Sequence, residues 1–282
     1  KGKFHYSLYT IKSDGTELTR LTGEGEDDEL ELPPGVTPLE SSESRTSVKP
    51  LGNERDFAPP GWDDYEPTWL PDDSIVFCST RSKLYVGCWL TQVGTLYKRF
   101  PDGTLRELSC NVEQDNTPWP LANGQIIYMR WEYVDRSQVD YHHLWTMGQD
   151  GTNQMVFYGN QTPGTCMLAP KPIPDAEGGK IVCTFSPGHG TTEHYGFVTV
   201  VDPRMGPDDP NGAKRISKTN RFSDPWAFSE ERFMAASYDK LVLLDEFGRE
   251  ATLYQLPEEL REAGFWINEP RPLAPREREP IL

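Results

Sequence analysis

The chain has 282 residues and a formal net charge of −16, and 36% of its residues are hydrophobic and 11% aromatic. The negative charge argues against a nucleic-acid backbone or an anionic membrane surface as a partner, because both bind positively charged protein surfaces. The apolar content excludes global disorder, and 24 Gly with 25 Pro residues favour a turn-rich β protein over a helical bundle.

The N-terminal part predicts a hairpin followed by an acidic insertion. Residues 8–21 read as an apolar strand, an Asp-Gly turn and a strand of alternating polarity. Residues 24–66 then carry 13 acidic side chains against three basic ones, so they account for −10 of the net charge. This segment is rich in Pro and Ser, and we interpret it as an insertion between the hairpin and the first complete repeat.

A strand–turn–strand segment that begins at a proline recurs along the rest of the chain. Its copies cover residues 67–77, 118–128, 170–183 and 225–235, and a truncated copy covers residues 270–275. The copies start 51, 52, 55 and 45 residues apart. Each complete copy contains a short strand, a polar turn and a second, apolar strand.

Hairpins like the N-terminal one alternate with these copies, at residues 96–108, 144–157 and, in a degenerate form, 241–253. Asp-Gly supplies the positive φ that a tight hairpin turn requires. Two hairpins in each period of about 40–50 residues are typical of the four-stranded blade of a β-propeller.

We therefore predict an all-β fold, with a single β-propeller domain over residues 1–282 and about five blade units. Residues 6–22 provide only an outer hairpin, and residues 270–282 only an inner strand. The two ends either complete one blade and close the ring, or they belong to a longer propeller.

The repeat also predicts where binding residues gather. The loop after the second strand lies at the same face of the ring in every blade, and we call this the loop face. A channel mouth lined by such loops is the usual propeller binding site. The candidate ligand-binding residues are Arg81, Arg130, Glu132, Asp135, Arg136 and His143, and the candidate metal ligands are Cys78, Cys88, His189 and His194. Arginines of this kind suit a small anionic ligand, and the His and Cys residues suit a metal ion.

Structural roles compete with these interpretations. The charged residues within 130–136 also suit an internal salt-bridge network that pins a long loop. Cys78 and Cys183 lie late in apolar strands, where buried, inert thiols are common. His142 and His143 are adjacent at a predicted strand, so we expect one to face inward and the other outward.

Several cofactor motifs are absent from the sequence. Five cysteines are an odd number and too few for a disulfide scaffold. No Cys-x-x-Cys-His provides a covalent c-type haem site, and neither a P-loop nor a dinucleotide-binding fingerprint is present. No apolar run approaches the roughly 18–20 residues of a membrane helix, so we expect no membrane span.

Four runs of residues resemble a known family. They are Trp-Leu-Pro-Asp-Asp-Ser-Ile-Val-Phe-Cys-Ser-Thr-Arg at 69–81, Tyr-Met-Arg-Trp-Glu-Tyr-Val-Asp-Arg at 128–136, His-Leu-Trp-Thr-Met at 143–147 and Phe-Ser-Pro-Gly-His-Gly at 185–190. With the TolB-like propeller repeat, they resemble large planctomycete-type proteins related to the hydrazine synthase α subunit. The resemblance implies one part of a longer, exported or periplasmic protein in a redox setting, with a haem-bearing region elsewhere. It also suggests Cys78 and Cys88 as ligands.

Together these patterns predict a propeller that serves as a binding or scaffold domain, with a protein partner or other domains of a longer chain. A second interpretation is a direct contribution to a metal- or haem-dependent oxidoreductase site on the loop face. A third is a propeller that binds carbohydrate or peptide without a redox role.

Overall fold

The computed structural model describes residues 6–23, 62–88, 91–188 and 194–282, and most of its regular structure is β. None of the helices in these ranges is long and apolar enough to cross a membrane.

Four consecutive units of four antiparallel strands follow an N-terminal hairpin. The hairpin is β1 (Tyr9–Thr10) and β2 (Thr19–Arg20). The first unit is β3 (Asp64–Trp69), β4 (Ile75–Ser79), β5 (Thr95–Arg99) and β6 (Leu105–Glu107). The second is β7 (Asp115–Pro120), β8 (Ile126–Trp131), β9 (Tyr141–Met147) and β10 (Met155–Tyr158). The third is β11 (Thr165–Pro172), β12 (Ile181–Ser186), β13 (Phe197–Val201) and β14 (Ala213–Arg215). The fourth is β15 (Ser223–Ser229), β16 (Arg232–Ser237), β17 (Lys240–Asp245) and β18 (Glu250–Gln255).

Little helical structure accompanies these strands. Two short 3-10 turns, Pro203–Met205 and Pro210–Gly212, lie between β13 and β14, and a short helix α1 (Glu258–Glu262) follows β18.

The Asp-Gly turns that the sequence predicts close three of the hairpins. Glycines 15, 103 and 151 have φ values of +83°, +93° and +87°, which side chains with a Cβ rarely adopt. In each turn the Asp carboxylate accepts a hydrogen bond from the backbone N–H of the following Thr, at 2.9–3.0 Å. This side-chain bond fixes the turn and therefore the pairing of the two strands.

The first strand of every unit carries the same local distortion. The residue before the proline has a positive φ in all four strands, at Glu66 (53°), Thr117 (56°), Ala169 (51°) and Asp224 (49°). In each strand the pairing with the second strand shifts around this residue, as in a β-bulge. We call these positions the pre-proline bulges.

Successive units pack face to face through apolar side chains. One buried cluster joins the first two units, with Val76 and Leu96 against Ile126 and Tyr128. Corresponding clusters join the second unit to the third and the third to the fourth. In addition, β11 pairs in parallel with β9 at Thr165 and Cys166, which merges the second and third units into one eight-stranded sheet. Within the described ranges, the sheets do not close on one another by strand pairing.

Both ends of the described chain contact the first unit. Leu8 of the N-terminal hairpin packs on Ile75, Phe77 and Tyr97. At the other end, the Arg271 and Arg276 side chains donate to the Pro67 carbonyl (3.3 Å) and the Trp69 carbonyl (3.2 Å), so residues 271–276 run beside β3.

The structure corrects two sequence-based expectations about the ends of the chain and of the acidic insertion. The copy at residues 270–275 forms no strand, because Pro270, Pro272 and Pro275 lack the backbone N–H that a ladder needs. Residues 64–66 of the expected acidic insertion belong to β3, whereas residues 24–61 lie outside the described residues. Closure of the ring by the two ends stays a prediction.

The positive φ at Ala169 gives a stability prediction. An alanine in this region is strained by roughly 1 kcal/mol, so Ala169→Gly relieves strain that offsets the extra flexibility of glycine. Ala235 is equally well buried but lies in the regular part of β16. We expect Ala235→Gly to lower the free energy of unfolding by about 1 kcal/mol more than Ala169→Gly does. Urea unfolding measures both, and equal losses would refute the strain argument.

Candidate functional site

The residues that precede the five prolines of the repeat line a cavity of about 200 Å³. Its wall contains the four pre-proline bulges Glu66, Thr117, Ala169 and Asp224, and also Glu269, which precedes Pro270 and has a φ of +43°. The remaining lining residues are Asn116, Leu168, Thr184, His194 and Asn268. We call this space the central cavity. The residue directly before each repeat copy contributes to this wall, so the repeat itself builds the site.

Three of the five repeated positions place carboxylates in this wall. Glu66 Oε2 accepts hydrogen bonds from the Thr117 backbone N–H (2.6 Å) and from the Cys78 thiol (3.2 Å). Burial is the main reason that the pKa of Glu66 is raised to about 7, and the neighbouring charges of Glu269 and Asp224 contribute to this rise. Asp224 Oδ2 in turn accepts from the Glu269 backbone N–H (3.1 Å). The wall is acidic, and Glu66 exchanges its proton near neutral pH.

The residues that follow these prolines in the sequence include cationic side chains and indole rings. Lys171 Nζ lies 4.5 Å from the ring centre of Trp119, and Arg271 Cζ lies 4.8 Å from it. Trp226 packs edge-on against Trp119 with ring centres 5.6 Å apart. Burial lowers the pKa of Lys171 to about 8, as does the charge of Arg271, whereas Glu269, Asp224 and Glu66 raise it. An acidic layer therefore lies next to a cationic, aromatic layer along the axis.

Two of the predicted ligand-binding arginines lie in buried ion pairs. Arg81 Nη2 is 2.6 Å from Asp64 Oδ2. Arg130 binds Asp115 through two hydrogen bonds, from Nε to Oδ1 (2.9 Å) and from Nη2 to Oδ2 (3.0 Å). Each aspartate is the first residue of a first strand, β3 or β7. These guanidinium groups tie the loop face to the strands instead of presenting paired donors to a ligand.

Arg136 and Glu132, in the same 130–136 loop, are also held by contacts within the chain. Arg136 Nη1 lies 3.2 Å from Glu132 Oε2 and also donates to the Asn160 carbonyl (2.8 Å). Asp135 is an exposed turn residue with a φ of +58°. For this loop the contacts match the salt-bridge interpretation of the sequence.

The two adjacent histidines are both buried, which corrects the expected inward and outward alternation. His142 stacks on Trp131 with ring centres 4.9 Å apart, and His143 Nε2 lies 3.1 Å from the Thr162 carbonyl. Their strand, β9, lies inside the eight-stranded sheet and is covered on both faces. Burial lowers the pKa of His143 to about 4, and the positive charge of Arg136 lowers it further.

The four candidate metal ligands occupy different surroundings. Cys78 is buried in β4, and burial raises the pKa of its thiol well above the ordinary value. Cys88 is exposed and accepts a hydrogen bond from the Gln138 amide (3.0 Å). His194 lines the central cavity, and His189 lies outside the described residues. Among the described residues, no three His, Cys, Asp or Glu side chains are grouped closely enough to hold a metal ion.

The sequence interpretation placed the site at the loop face but missed its acidic residues Glu66, Asp224 and Glu269. A signal was present, because each of them directly precedes the proline at which a repeat copy begins. Extending each copy by one residue toward the N-terminus would have found them.

Comparison with known proteins identifies the fold. No family model matches the chain, and no curated protein matches its sequence. Hydrazine synthase of Kuenenia stuttgartiensis is similar in structure, with a TM-score of 0.63 and 11% identity over 89% of this chain. A TolB-like protein of Agrobacterium tumefaciens (TM-score 0.48, 14% identity) covers 68% of this chain, and this chain covers 65% of that one.

The similarity to hydrazine synthase is one of fold. The described chain spans 36% of the length of that protein. The chain is thus mostly β, with a propeller-like arrangement.

The buried Arg130–Asp115 pair gives a second stability prediction. In Arg130→Met the fully buried Asp115 carboxylate loses its counter-charge, so we expect the free energy of unfolding to fall by about 3 kcal/mol. Arg136→Met, which removes a half-exposed pair, should cost less than about 1 kcal/mol. Adding Asp115→Asn to Arg130→Met should restore part of the loss. Urea unfolding of the double-mutant cycle measures this, and equal losses for Arg130→Met and Arg136→Met would contradict it.

The buried His143 predicts a loss of stability in acid. Its pKa is about 4 in the folded chain and about 6.5 when unfolded, so below pH 6.5 the unfolded chain binds more protons. The free energy of unfolding should therefore fall as the pH drops from 6.5 to 4. In His143→Gln this slope should be smaller by up to about 1.4 kcal/mol per pH unit. Chemical unfolding at a series of pH values tests this, and an unchanged slope would show that His143 is not responsible.

Proposed function

We propose that this chain is the binding and scaffold domain of a longer, exported protein that works in a redox setting. The observation that carries the proposal is that the reactive side chains of the loop face are held by neighbours within the chain. Arg81 and Arg130 are used in buried ion pairs, and the Cys78 thiol stays protonated. Groups held in this way preserve the shape of a surface and are not free for chemistry.

A fixed surface is what a docking domain needs, because the loops lose little entropy when a partner binds. Exposed aromatic side chains lie at the same face, in the turn after β16 and in the segment after α1. Tyr238 is 41% exposed and Trp266 55% exposed. Large aromatic residues of this kind are enriched at the centres of protein interfaces. The loop face is the surface that we propose for contact with another domain or subunit.

The similarity to hydrazine synthase supports an assembly of several parts. The propeller-like fold matches only 36% of that chain, so in that protein it is combined with further structure. Export and the redox setting are part of the proposal and rest on the resemblance.

Cross-linking mass spectrometry on the full-length gene product tests the docking surface. Lys83 lies in the loop that follows β4, and Lys240 begins β17 directly after the turn that follows β16, whereas Lys12 and Lys180 lie in turns at the opposite end of the strands. We expect cross-links between Lys83 or Lys240 and other domains or subunits. Lys12 and Lys180 are the matched controls and should link mainly within the propeller. Links to other domains from the control lysines alone would overturn the proposed surface.

A further inference from the structure

We propose that the central cavity is a binding site for a small organic cation that carries an ammonium or guanidinium group. The site goes beyond the scaffold role and does not depend on it, because a cation in the cavity needs no second domain or subunit.

The charge of the wall points to a cation. Glu66, Asp224 and Glu269 line the cavity, and no Lys or Arg is among the described residues that do so. Arg271 pairs with Glu269 through Nη2 and Oε2 and faces Trp119, as Lys171 does. Glu66 and Asp224 make no ion pair among the described residues, so a positively charged ligand would meet these two carboxylates.

Unpartnered hydroxyl groups point to a hydrogen-bonding ligand. Thr184 is fully buried, lines the cavity, and its Oγ1 has no hydrogen-bond partner in the described structure. Thr117 Oγ1 is also buried without a partner. Buried polar groups are nearly always paired, so both hydroxyls have unused capacity to accept an N–H. Together with the carboxylates they provide acceptors on separate parts of the wall.

The spread of these acceptors favours an organic cation over a bare metal ion. The carboxylates come from three separate segments, and no three acidic, His or Cys side chains among the described residues converge at metal-binding range. The space of about 200 Å³ equals that of roughly seven water molecules in the liquid. Leu168 and Ala169 add an apolar section of wall that suits an alkyl chain.

Aromatic rings next to the cavity fit the same class of ligand. Tyr195 stacks on Tyr238 with ring centres 4.5 Å apart, and Trp266 lies 5.8 Å from each of them. Tyr195 directly follows the cavity residue His194, and Trp266 lies two residues before the cavity residue Asn268. The faces of such rings attract organic cations.

Titration calorimetry at low ionic strength tests the site with butylammonium chloride as the probe. The neutral analogue 1-butanol and calcium chloride are the comparison ligands. We expect saturable binding of butylammonium at least tenfold tighter than that of 1-butanol or Ca²⁺. Absence of saturable binding, equal binding of 1-butanol, or tighter binding of Ca²⁺ would each overturn the proposal.

Variants locate the binding. Glu66→Gln combined with Glu269→Gln should weaken butylammonium binding at least tenfold, because two acceptor charges are lost. Glu258→Gln combined with Glu259→Gln removes two exposed charges from α1 and is the matched control, which should bind as the wild type does. Unchanged affinity in the first pair, or an equal loss in the control, would overturn the assignment.

Two single substitutions keep the test independent of folding. Glu269→Gln lies outside any strand and removes one wall carboxylate together with its exposed pair to Arg271, which costs little stability. Thr184→Val keeps the side-chain shape and removes only the unpartnered hydroxyl. We expect both variants to retain the wild-type melting temperature and to bind butylammonium at least threefold more weakly. Wild-type affinity in both would show that the cavity does not hold the cation.

Discussion

The pre-proline bulge is the constraint on which the rest of this structure depends. A residue before proline is driven away from the right-handed helical region, and here it adopts a positive φ in the first strand of all four units. The proline also lacks an N–H, so the pairing with the second strand must be interrupted at this point. The interruption turns the pre-proline side chain toward the shared axis. The same feature that weakens each sheet therefore builds the central cavity.

Buried ion pairs compensate for the weakened start of the first two such strands. Asp64 and Asp115 begin β3 and β7, each two residues before the pre-proline bulge. Each binds an arginine of the loop face. An aspartate at this position would be costly without its arginine, since both carboxylates are fully buried. The pairs thus hold the first strand to the end of the second strand just where the ladder is shifted. They explain why arginines that resemble ligand-binding groups in the sequence are structural in the fold.

Much of the fold follows from local sequence, because a hairpin is a local structure. Asp-Gly turns and apolar second strands predict the hairpins at residues 96–108 and 144–157, and the structure confirms them. Interactions between residues that are far apart in the sequence cannot be predicted from such local patterns. Asp64, Tyr65 and Glu66 read as the end of an acidic loop, yet they start β3 because Arg81 neutralises Asp64 and Thr117 binds Glu66. His142 and His143 are both buried because Trp131 stacks on His142 and the Thr162 carbonyl contacts His143, and no pattern within 141–147 predicts these neighbours.

The net charge of −16 does not describe the charges that surround the central cavity. The charge that matters on the axis comes from Glu66, Asp224 and Glu269, and it is opposed one layer away by Lys171 and Arg271. Burial favours the neutral forms of both Glu66 and Lys171, whereas the attraction between the two layers favours their charged forms. Any group that brings positive charge into the acidic layer would stabilise ionised Glu66 and would repel Lys171. The two layers therefore make the axis responsive to the charge of whatever occupies it, which the net charge of the chain could not reveal.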